Sequence, residues 1–144
     1  MTEIWFIRHG ETDWNRQRRL QGWQDIPLNE FGRNQASLLA ARMREEARRT
    51  PIHAIYSSDL QRAHATAAPV SEQLGLRVRI EPGIRERGFG VLEGLDLERI
   101  DALAPEAAAA WRSRDPLRAL DGGETLGQFQ SRVISTVDDV ASRH

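Results

Sequence analysis

Three consecutive residues near the N-terminus, Arg8, His9 and Gly10, have side chains suited to phosphate or carboxylate chemistry. A neutral imidazole is a competent nucleophile and titrates near physiological pH. The adjacent guanidinium offers planar, permanently charged donors that match phosphate oxygens, and glycine lets the backbone approach a ligand closely. Taken alone, the tripeptide also fits a structural role, in which the histidine caps a strand end and the arginine pairs with a carboxylate. The structural role and the anion site both stay open.

Two further polar residues could help to bind an anion. Asn15 follows His9 by six residues in a polar loop. Arg62 lies in the predicted first turn of a helix that follows a strand, where its charge adds to that of the helix N-terminal amides. Because a cation at the positive end of a helix dipole is slightly unfavourable, a bound anion would relieve the conflict. We therefore expect an anion site near Arg62.

Glu86 is the candidate for proton transfer. It lies in an irregular, glycine-rich segment and is flanked by Arg85 and Arg87. A carboxyl group in such a loop could act as a general acid if its surroundings raise its pKa. A surface salt bridge to one of the two arginines explains the same pattern, and the residue types alone do not choose between the two interpretations.

The segments that must position these residues alternate between strand and helix patterns. The apolar run 4–7 predicts a buried strand, with His9 in the loop at its carboxyl end, where α/β proteins bind ligands. Asn29 is the predicted N-cap of a helix that runs to about residue 48. The apolar stripe of that helix consists of Phe31, Leu38, Leu39, Met43 and Ala47.

The alternation continues along the chain. Strands are predicted over 52–56 and 76–80, and helices over 60–74, over an alanine-rich stretch 97–112 broken near Pro105, and from Leu126 onward. This order predicts an α/β fold: a single three-layer domain over residues 1–144, with a mostly parallel sheet flanked by helices. Since only three strands are evident and none follows the last helix, we expect the C-terminal part of the sheet to be missing.

Composition excludes several classes of protein. The chain has 144 residues, a formal net charge of −1, no cysteine, and arginine at all twenty basic positions. Disulfides, thiolate metal sites, a Walker-A lysine and a Schiff base are therefore excluded. The charge argues against nucleic acid as a partner, and no apolar run resembles a membrane span or a signal peptide. We expect a cytoplasmic protein that binds neither nucleic acid nor membrane.

Four groups of residues, in order along the chain, resemble the motifs of the histidine phosphatase superfamily in its phosphoglycerate-mutase-like branch. They cover nearly the whole sequence, and together they are highly specific. The groups are Arg8-His9-Gly10-Glu11-Thr12 with Asn15; Tyr56-Ser57-Ser58-Asp59-Leu60 with Arg62-Ala63 and Thr66-Ala67; Phe89-Gly90 with Glu93-Gly94; and Gly122-Gly123-Glu124-Thr125.

The resemblance implies a role for each candidate residue. His9 would take the phosphoryl group as a phosphohistidine, Arg8 and Arg62 would hold its oxygens with help from Asn15, and Glu86 would protonate the leaving oxygen and then activate water. No metal and no cofactor are implied. The second nitrogen of the histidine is expected to donate to a backbone carbonyl, which would fix the tautomer.

The remaining candidates for contact with phosphate or substrate are Gln21 and Gly22. The branch is suggested by Phe89, which stands where phosphoglycerate mutases have tyrosine, and by the 27 residues between Gly94 and Gly122, too few for the long mutase insertion. The resemblance therefore favours a compact phosphatase that acts on a small phosphorylated metabolite. Whether the chain forms a homodimer stays open.

The chain departs from the family pattern at its C-terminal end. Members carry a second histidine in a Ser/Thr-His-Gly motif after the last helix, whereas His144 is followed by no glycine. His53 and His64 are poorer substitutes, because one precedes a strand and the other lies on a helix. Either a fragment or a natural truncation fits. Three activities therefore remain: phosphatase, mutase-type phosphoryl transfer, and non-catalytic phosphate binding.

Overall fold

In a computed structural model, which describes residues 2–144, the contacts divide the chain into two units. The sheet unit comprises Phe6–Asp13 and Asp25–Pro82, and the helical unit comprises the N-terminal residues to Trp5, Trp14–Gln24 and Gly83–His144. The elements are α1 (Asp13–Arg16), α2 (Glu30–Ala47), β1 (Ile55–Ser57), α3 (Gln61–Leu74), β2 (Val78–Ile80), α4 (Ile100–Leu103), α5 (Pro105–Ser113) and α6 (Leu126–Ser142), with short 3-10 turns at Pro82–Ile84 and Gly90–Leu92.

The sheet unit contains a parallel βαβ arrangement. Strand β1 pairs with β2, with Tyr56 opposite Arg79, and α3 forms the connection between them. Met43, Val70 and Ala40 form its buried core, and Ile55 and Leu74 pack against them. A parallel pair joined by a helix is the unit from which α/β folds are built, and it confirms the predicted fold class. Both strands are shorter than the sequence pattern suggested.

The limits predicted for α2 are confirmed. The side chain of Asn29 accepts a hydrogen bond from the Gly32 amide, as an N-cap residue does. The predicted packing face is confirmed at Met43, which is buried, and at Leu39, which packs against the same core. It is wrong at Phe31 and Leu38, which are 58% and 73% exposed. Besides Met43, the buried side is formed by three small residues, Gly32, Ala36 and Ala40. Small side chains allow the backbones of packed helices to approach closely, which explains why the larger apolar residues lie outside.

The start of α3 is capped from a distant loop. The helix begins at Gln61, and the N-cap residue Leu60 has no side-chain hydrogen bond to offer. Instead, the carboxylate of Asp25 accepts from the Gln61 amide at 2.7 Å and from its side-chain amide at 3.0 Å. Gly75 ends the helix in the left-handed conformation, with φ of 64°, as predicted.

The prediction of a buried strand over residues 4–7 is wrong. No strand is assigned there, and Phe6 and Ile7 are 76% and 48% exposed. An apolar run is buried as a strand only when neighbouring strands pair with it on its edges. In the part of the chain that the structure describes, the sheet consists of β1 and β2 alone, so no strand pairs with this run.

The helical unit has its own apolar core. Its buried residues are Leu92, Ile100, Ala108, Ala110 and Leu120. The predicted break near Pro105 is confirmed, because the proline separates α4 from α5. Helix α6 begins with a capping box in which Thr125 and Gln128 bond each other's amides at 3.0 and 2.9 Å. None of the helices within residues 2–144 has the length and apolarity needed to cross a membrane.

Candidate active site

The imidazole of His9 is half-buried and held in one tautomer. Its Nδ1 atom lies 2.7 Å from the carbonyl oxygen of Gly10. Because a carbonyl oxygen can only accept, Nδ1 must carry a proton, and in the neutral ring the lone pair is then on Nε2. This is the backbone partner that the sequence analysis predicted. It leaves Nε2 as the ring atom able to act as a nucleophile.

The loop that carries His9 is fastened to the helix that carries Arg62. The Gly10 amide donates to Thr66 Oγ1 at 2.9 Å, and the same hydroxyl donates to the Arg62 carbonyl at 2.7 Å. Arg62 is 1% exposed, and Thr66, one turn further along α3, is 6% exposed. A buried guanidinium remains charged, because arginine does not lose its proton in proteins. The two hydrogen bonds tie the histidine loop to a helix turn that bears a buried positive charge.

The other side of this loop lies against the first turn of α2. A β-carbon on Gly10 would be 2.6 Å from the Gly32 carbonyl oxygen, and one on Gly32 would collide with the Glu11 carbonyl oxygen and lie 2.7 Å from the Glu11 amide nitrogen. Glu11 is further held by Asn29, whose amide donates to its carbonyl at 3.0 Å. Two glycines are therefore needed here for the backbones to come so close.

Asn15, Gln21 and Gly22 lie in the helical unit. Asn15 is half-buried, Gln21 is 7% exposed, and Gly22 has φ of +54°, a conformation that favours glycine. A β-carbon on Gly22 would lie 2.7 Å from Cδ of Glu93. The Glu93 carboxylate accepts from the amide of Trp23 at 2.9 Å and from that of Phe89 at 3.0 Å. It thereby joins the loop around Gly22 to the segment that follows Glu86.

Glu86 is exposed, and its main chain is held more firmly than its side chain. Its carboxylate accepts from the following amide, that of Arg87, at 2.7 Å. Its carbonyl accepts from the indole of Trp23 at 2.8 Å and from Arg132 at 3.3 Å. The side chain of Glu86 is thus open to solvent, as a proton donor to a substrate must be.

An ion pair between Glu124 and Arg132 lies beside this segment, and both side chains are largely buried. Burial alone would raise the pKa of the Glu124 carboxyl. Hydrogen bonds from Arg132 and from the Gly88 amide, together with the charges of Arg132 and Arg87, outweigh that effect and hold its pKa below the ordinary value. Glu124 is therefore ionised at neutral pH.

The predicted site residues are divided between the two units. Arg8, His9 and Arg62 belong to the sheet unit, where Arg8 is exposed next to the half-buried histidine. The helical unit contains the other four candidates, Asn15, Gln21, Gly22 and Glu86. The remaining histidines, His53, His64 and His144, are exposed.

Sequence reasoning missed three residues that organise these segments. Arg132 and Glu93 act on backbone groups, and Asp25 caps α3 through a long loop. For Glu93 there was a signal, because it belongs to the group Phe89-Gly90 with Glu93-Gly94 that resembles a motif of the superfamily. Arg132 and Asp25 had none, because the backbone groups that they bond lie 36 to 49 residues away in the sequence.

A loop with a fixed imidazole, tied to a helix turn with a buried arginine in a parallel βαβ unit, places this chain among α/β proteins. The comparisons with known proteins agree. The sequence profile of the histidine phosphatase superfamily (branch 1) matches residues 4–144, and the chain belongs to that family.

Relatives within the family include enzymes of two kinds. The chain is 37% identical to phosphoglycerate mutase-like protein 4 of Arabidopsis thaliana over 99% of its own length and 61% of the relative's. It is 38% identical to a metal-independent phosphoserine phosphatase of the same plant, over 100% and 60% of the two lengths. Among solved structures, a mycobacterial glucosyl-3-phosphoglycerate phosphatase in complex with VO3 is 40% identical, with a TM-score of 0.79 over 93% of this chain and 64% of that one. The chain spans about 60% of the length of the curated relatives it matches.

Proposed function

We propose that the chain is a metal-independent phosphomonoester hydrolase that works through a phosphohistidine at His9. The observation that carries the proposal is the hydrogen bond between His9 Nδ1 and the Gly10 carbonyl, because in the neutral ring it puts the lone pair on Nε2, the atom that would attack phosphorus. Membership of the histidine phosphatase superfamily and the likeness to a metal-independent phosphoserine phosphatase support the same chemistry.

The reaction proceeds in two displacements. In the first, His9 Nε2 forms a bond to phosphorus as the bond from phosphorus to the leaving oxygen breaks, and the Glu86 carboxyl gives that oxygen its proton. In the second, Glu86, now a carboxylate, takes a proton from water while the water oxygen bonds to phosphorus and the phosphorus–nitrogen bond breaks. Phosphate leaves, and both residues return to their starting states.

The positive charge that this transfer requires comes from arginine. A phosphoryl group in transfer spreads negative charge over its equatorial oxygens, so catalysis depends mainly on positioning and positive charge. Arg62, buried at the start of α3, and Arg8, next to the nucleophile, are the proposed donors, with Asn15 assisting. Each charge-assisted hydrogen bond contributes about 1.5–3 kcal/mol.

The proposed substrate is a small phosphorylated metabolite. Two of the similar proteins are named for phosphoserine and for glucosyl-3-phosphoglycerate, which are small phosphate monoesters. Gln21 and Gly22 are the proposed contacts on the substrate side. Because phosphorylated metabolites are charged and do not cross bilayers freely, we place the reaction in the cytoplasm, where they are made.

Trapping the phosphoenzyme tests the proposal. The protein is mixed with p-nitrophenyl phosphate, quenched at alkaline pH and weighed by mass spectrometry, because phosphohistidine is labile to acid. We expect one added phosphoryl group in the wild type and in H64Q, and none in H9Q. His64 is the matched control, since it lies exposed on the helix that carries Arg62.

Three results would contradict the proposal. The first is turnover that survives in H9Q. The second is thermal stabilisation by inorganic phosphate without any phosphoenzyme, which would identify a non-catalytic phosphate-binding protein. Transfer of the phosphoryl group to a second hydroxyl instead of water would identify a mutase.

A further inference from the structure

Arg132 uses all five of its N–H donors within the helical unit, two on the Glu124 carboxylate and three on carbonyls of the segment 83–86. It lies on the second turn of α6, and its Nε and Nη2 atoms donate to the two carboxylate oxygens of Glu124 at 2.8 and 2.7 Å. Nη1 donates to the carbonyls of Gly83 and Arg85 at 2.8 and 3.1 Å, and Nη2 also donates to the Glu86 carbonyl at 3.3 Å. A guanidinium has no further donors to give.

Glu124 bonds to the residues that follow Glu86 in the same segment. Its carboxylate accepts from the Gly88 amide at 2.9 Å, and its carbonyl accepts from Nε and Nη2 of Arg87 at 3.0 and 2.9 Å. The backbone before Glu86 is therefore bonded to Arg132, and the backbone after it is bonded to Glu124.

No regular element runs through this segment. Residues 85–89 carry neither helix nor strand, and a 3-10 turn lies on each side, at Pro82–Ile84 and Gly90–Leu92. The hydrogen bonds of a helix or a sheet therefore do not hold the backbone around Glu86, and the side chains of Arg132 and Glu124 bond to it instead. The rings of Trp23 and Phe129 add to this arrangement, with the Arg132 guanidinium 5.9 and 5.4 Å from their centroids.

We propose that Arg132, held in place by Glu124, is the positioning residue for the Glu86 carboxyl. The inference rests on the proposed function, in which Glu86 exchanges a proton with the leaving oxygen. Arg132 acts on the main chain of Glu86 and so sets where its carboxyl group lies. A proton donor works only within hydrogen-bond range of its target, and a displacement of about 1 Å costs on the order of 100-fold in rate.

The kinetic test compares two leaving groups. An alkyl phosphate such as phosphoserine needs its leaving oxygen protonated, whereas p-nitrophenolate leaves readily without a proton. The second displacement, in which Glu86 activates water, is common to both substrates, so the single-turnover rate constant of phosphoenzyme formation is compared. In R132Q and E124Q we expect this rate constant to fall about 10- to 100-fold for phosphoserine and to change less than about 3-fold for p-nitrophenyl phosphate, with the substrate Kd nearly unchanged for both. E86Q should show the same dependence on the leaving group, and R132Q combined with E86Q should be no slower than E86Q alone.

Two further variants separate positioning from folding. R132K keeps the charge, but one ammonium group cannot span the Glu124 carboxylate and three carbonyls, so it should give an intermediate loss on phosphoserine. R112Q is the matched control, because Arg112 forms a similar two-bond ion pair with Asp101, at 3.1 and 2.7 Å, in the same unit. It should leave both rates unchanged.

Amide hydrogen exchange gives a readout that does not depend on turnover. The amides of Arg87 and Gly88 donate to the carboxylates of Glu86 and Glu124. Both amides should exchange at least about 10-fold faster in R132Q and E124Q than in the wild type or R112Q.

Each outcome decides one of the two proposals. Equal losses in the rate of phosphoenzyme formation from both substrates, or unchanged exchange at residues 87 and 88, would overturn the positioning role of Arg132. A wild-type protein that forms no phosphoenzyme and hydrolyses neither substrate would overturn the proposed function, while the exchange rates would still decide whether Arg132 holds the segment.

Discussion

Replacing Gly32 by alanine tests how tightly the histidine loop is packed. Gly32 lies in the first turn of α2, and a β-carbon there would collide with the Glu11 carbonyl oxygen and lie 2.7 Å from its amide nitrogen. Both atoms belong to the backbone of the loop that follows His9, so they can yield only if that loop moves. The loop is also bonded to Thr66 through the Gly10 amide, which limits such movement.

The direction of the stability change is the decisive quantity. In a helix without close neighbours, glycine to alanine would stabilise the fold by up to about 1 kcal/mol. Overpacking against a fixed neighbour costs about 1–3 kcal/mol. Because the contact is with backbone on both sides, we expect overpacking to exceed the gain in helix propensity and G32A to lose about 1–2 kcal/mol net.

Urea unfolding of the wild type, G32A and S37A measures this difference. Ser37 is exposed on the same helix, so S37A changes helix propensity without any collision. We also expect the rate of phosphohistidine formation to fall in G32A, since the displaced loop carries His9. A G32A protein as stable as the wild type, with full activity, would refute the packing argument.

Three other substitutions follow from single contacts. T66V should cost about 1–3 kcal/mol and reduce activity, because the Gly10 amide loses its buried acceptor, and T66S should restore both in urea unfolding and turnover assays. The pKa of Glu124 is lowered on folding, so its ion pair stabilises the fold above the ordinary carboxyl value of about 4.5, and this contribution is lost as the pH falls through the lowered pKa. A plot of melting temperature against pH should therefore fall less steeply on the acid side for E124Q than for the wild type. G22A should destabilise by about 1–2 kcal/mol, because alanine is strained at φ of +54° and would also press on Glu93; equal melting temperatures would count against this.

Local signals predicted the limits of elements well. Asn29 caps α2, Gly75 ends α3 and Pro105 separates α4 from α5, as expected from residue types whose backbone preferences are intrinsic. Burial was harder to predict. The stripe with Phe31 and Leu38 looked like the packing face of α2, but which face packs is decided by how closely a neighbouring helix approaches, and small residues permit the closest approach.

In the candidate site, too, features set by residue type could be predicted, whereas features set by tertiary contacts could not. The residue types of Arg8 and His9 suggested anion chemistry, and the resemblance assigned them roles that remain predictions. The carbonyl partner of His9 could be anticipated, because a neutral imidazole needs one nitrogen fixed. The five hydrogen bonds donated by Arg132 could not be anticipated, since its backbone acceptors come close to it only when the chain folds. The prediction of a buried strand over residues 4–7 was wrong for a related reason. An apolar run favours burial, but whether it is buried depends on neighbouring strands that the run itself does not contain.

The sheet unit has a consequence for how the molecule assembles. From Asp25 to Pro82, α2, β1, α3 and β2 follow one another without interruption, so their mutual contacts are short in sequence and can form early and quickly. The segment Phe6–Asp13, which carries the nucleophile, must join this scaffold from outside it, through Thr66 and Gly32. We therefore expect the histidine loop to detach at a lower free energy than that needed to unfold α2 and α3, so that activity can be lost while the two helices stay folded.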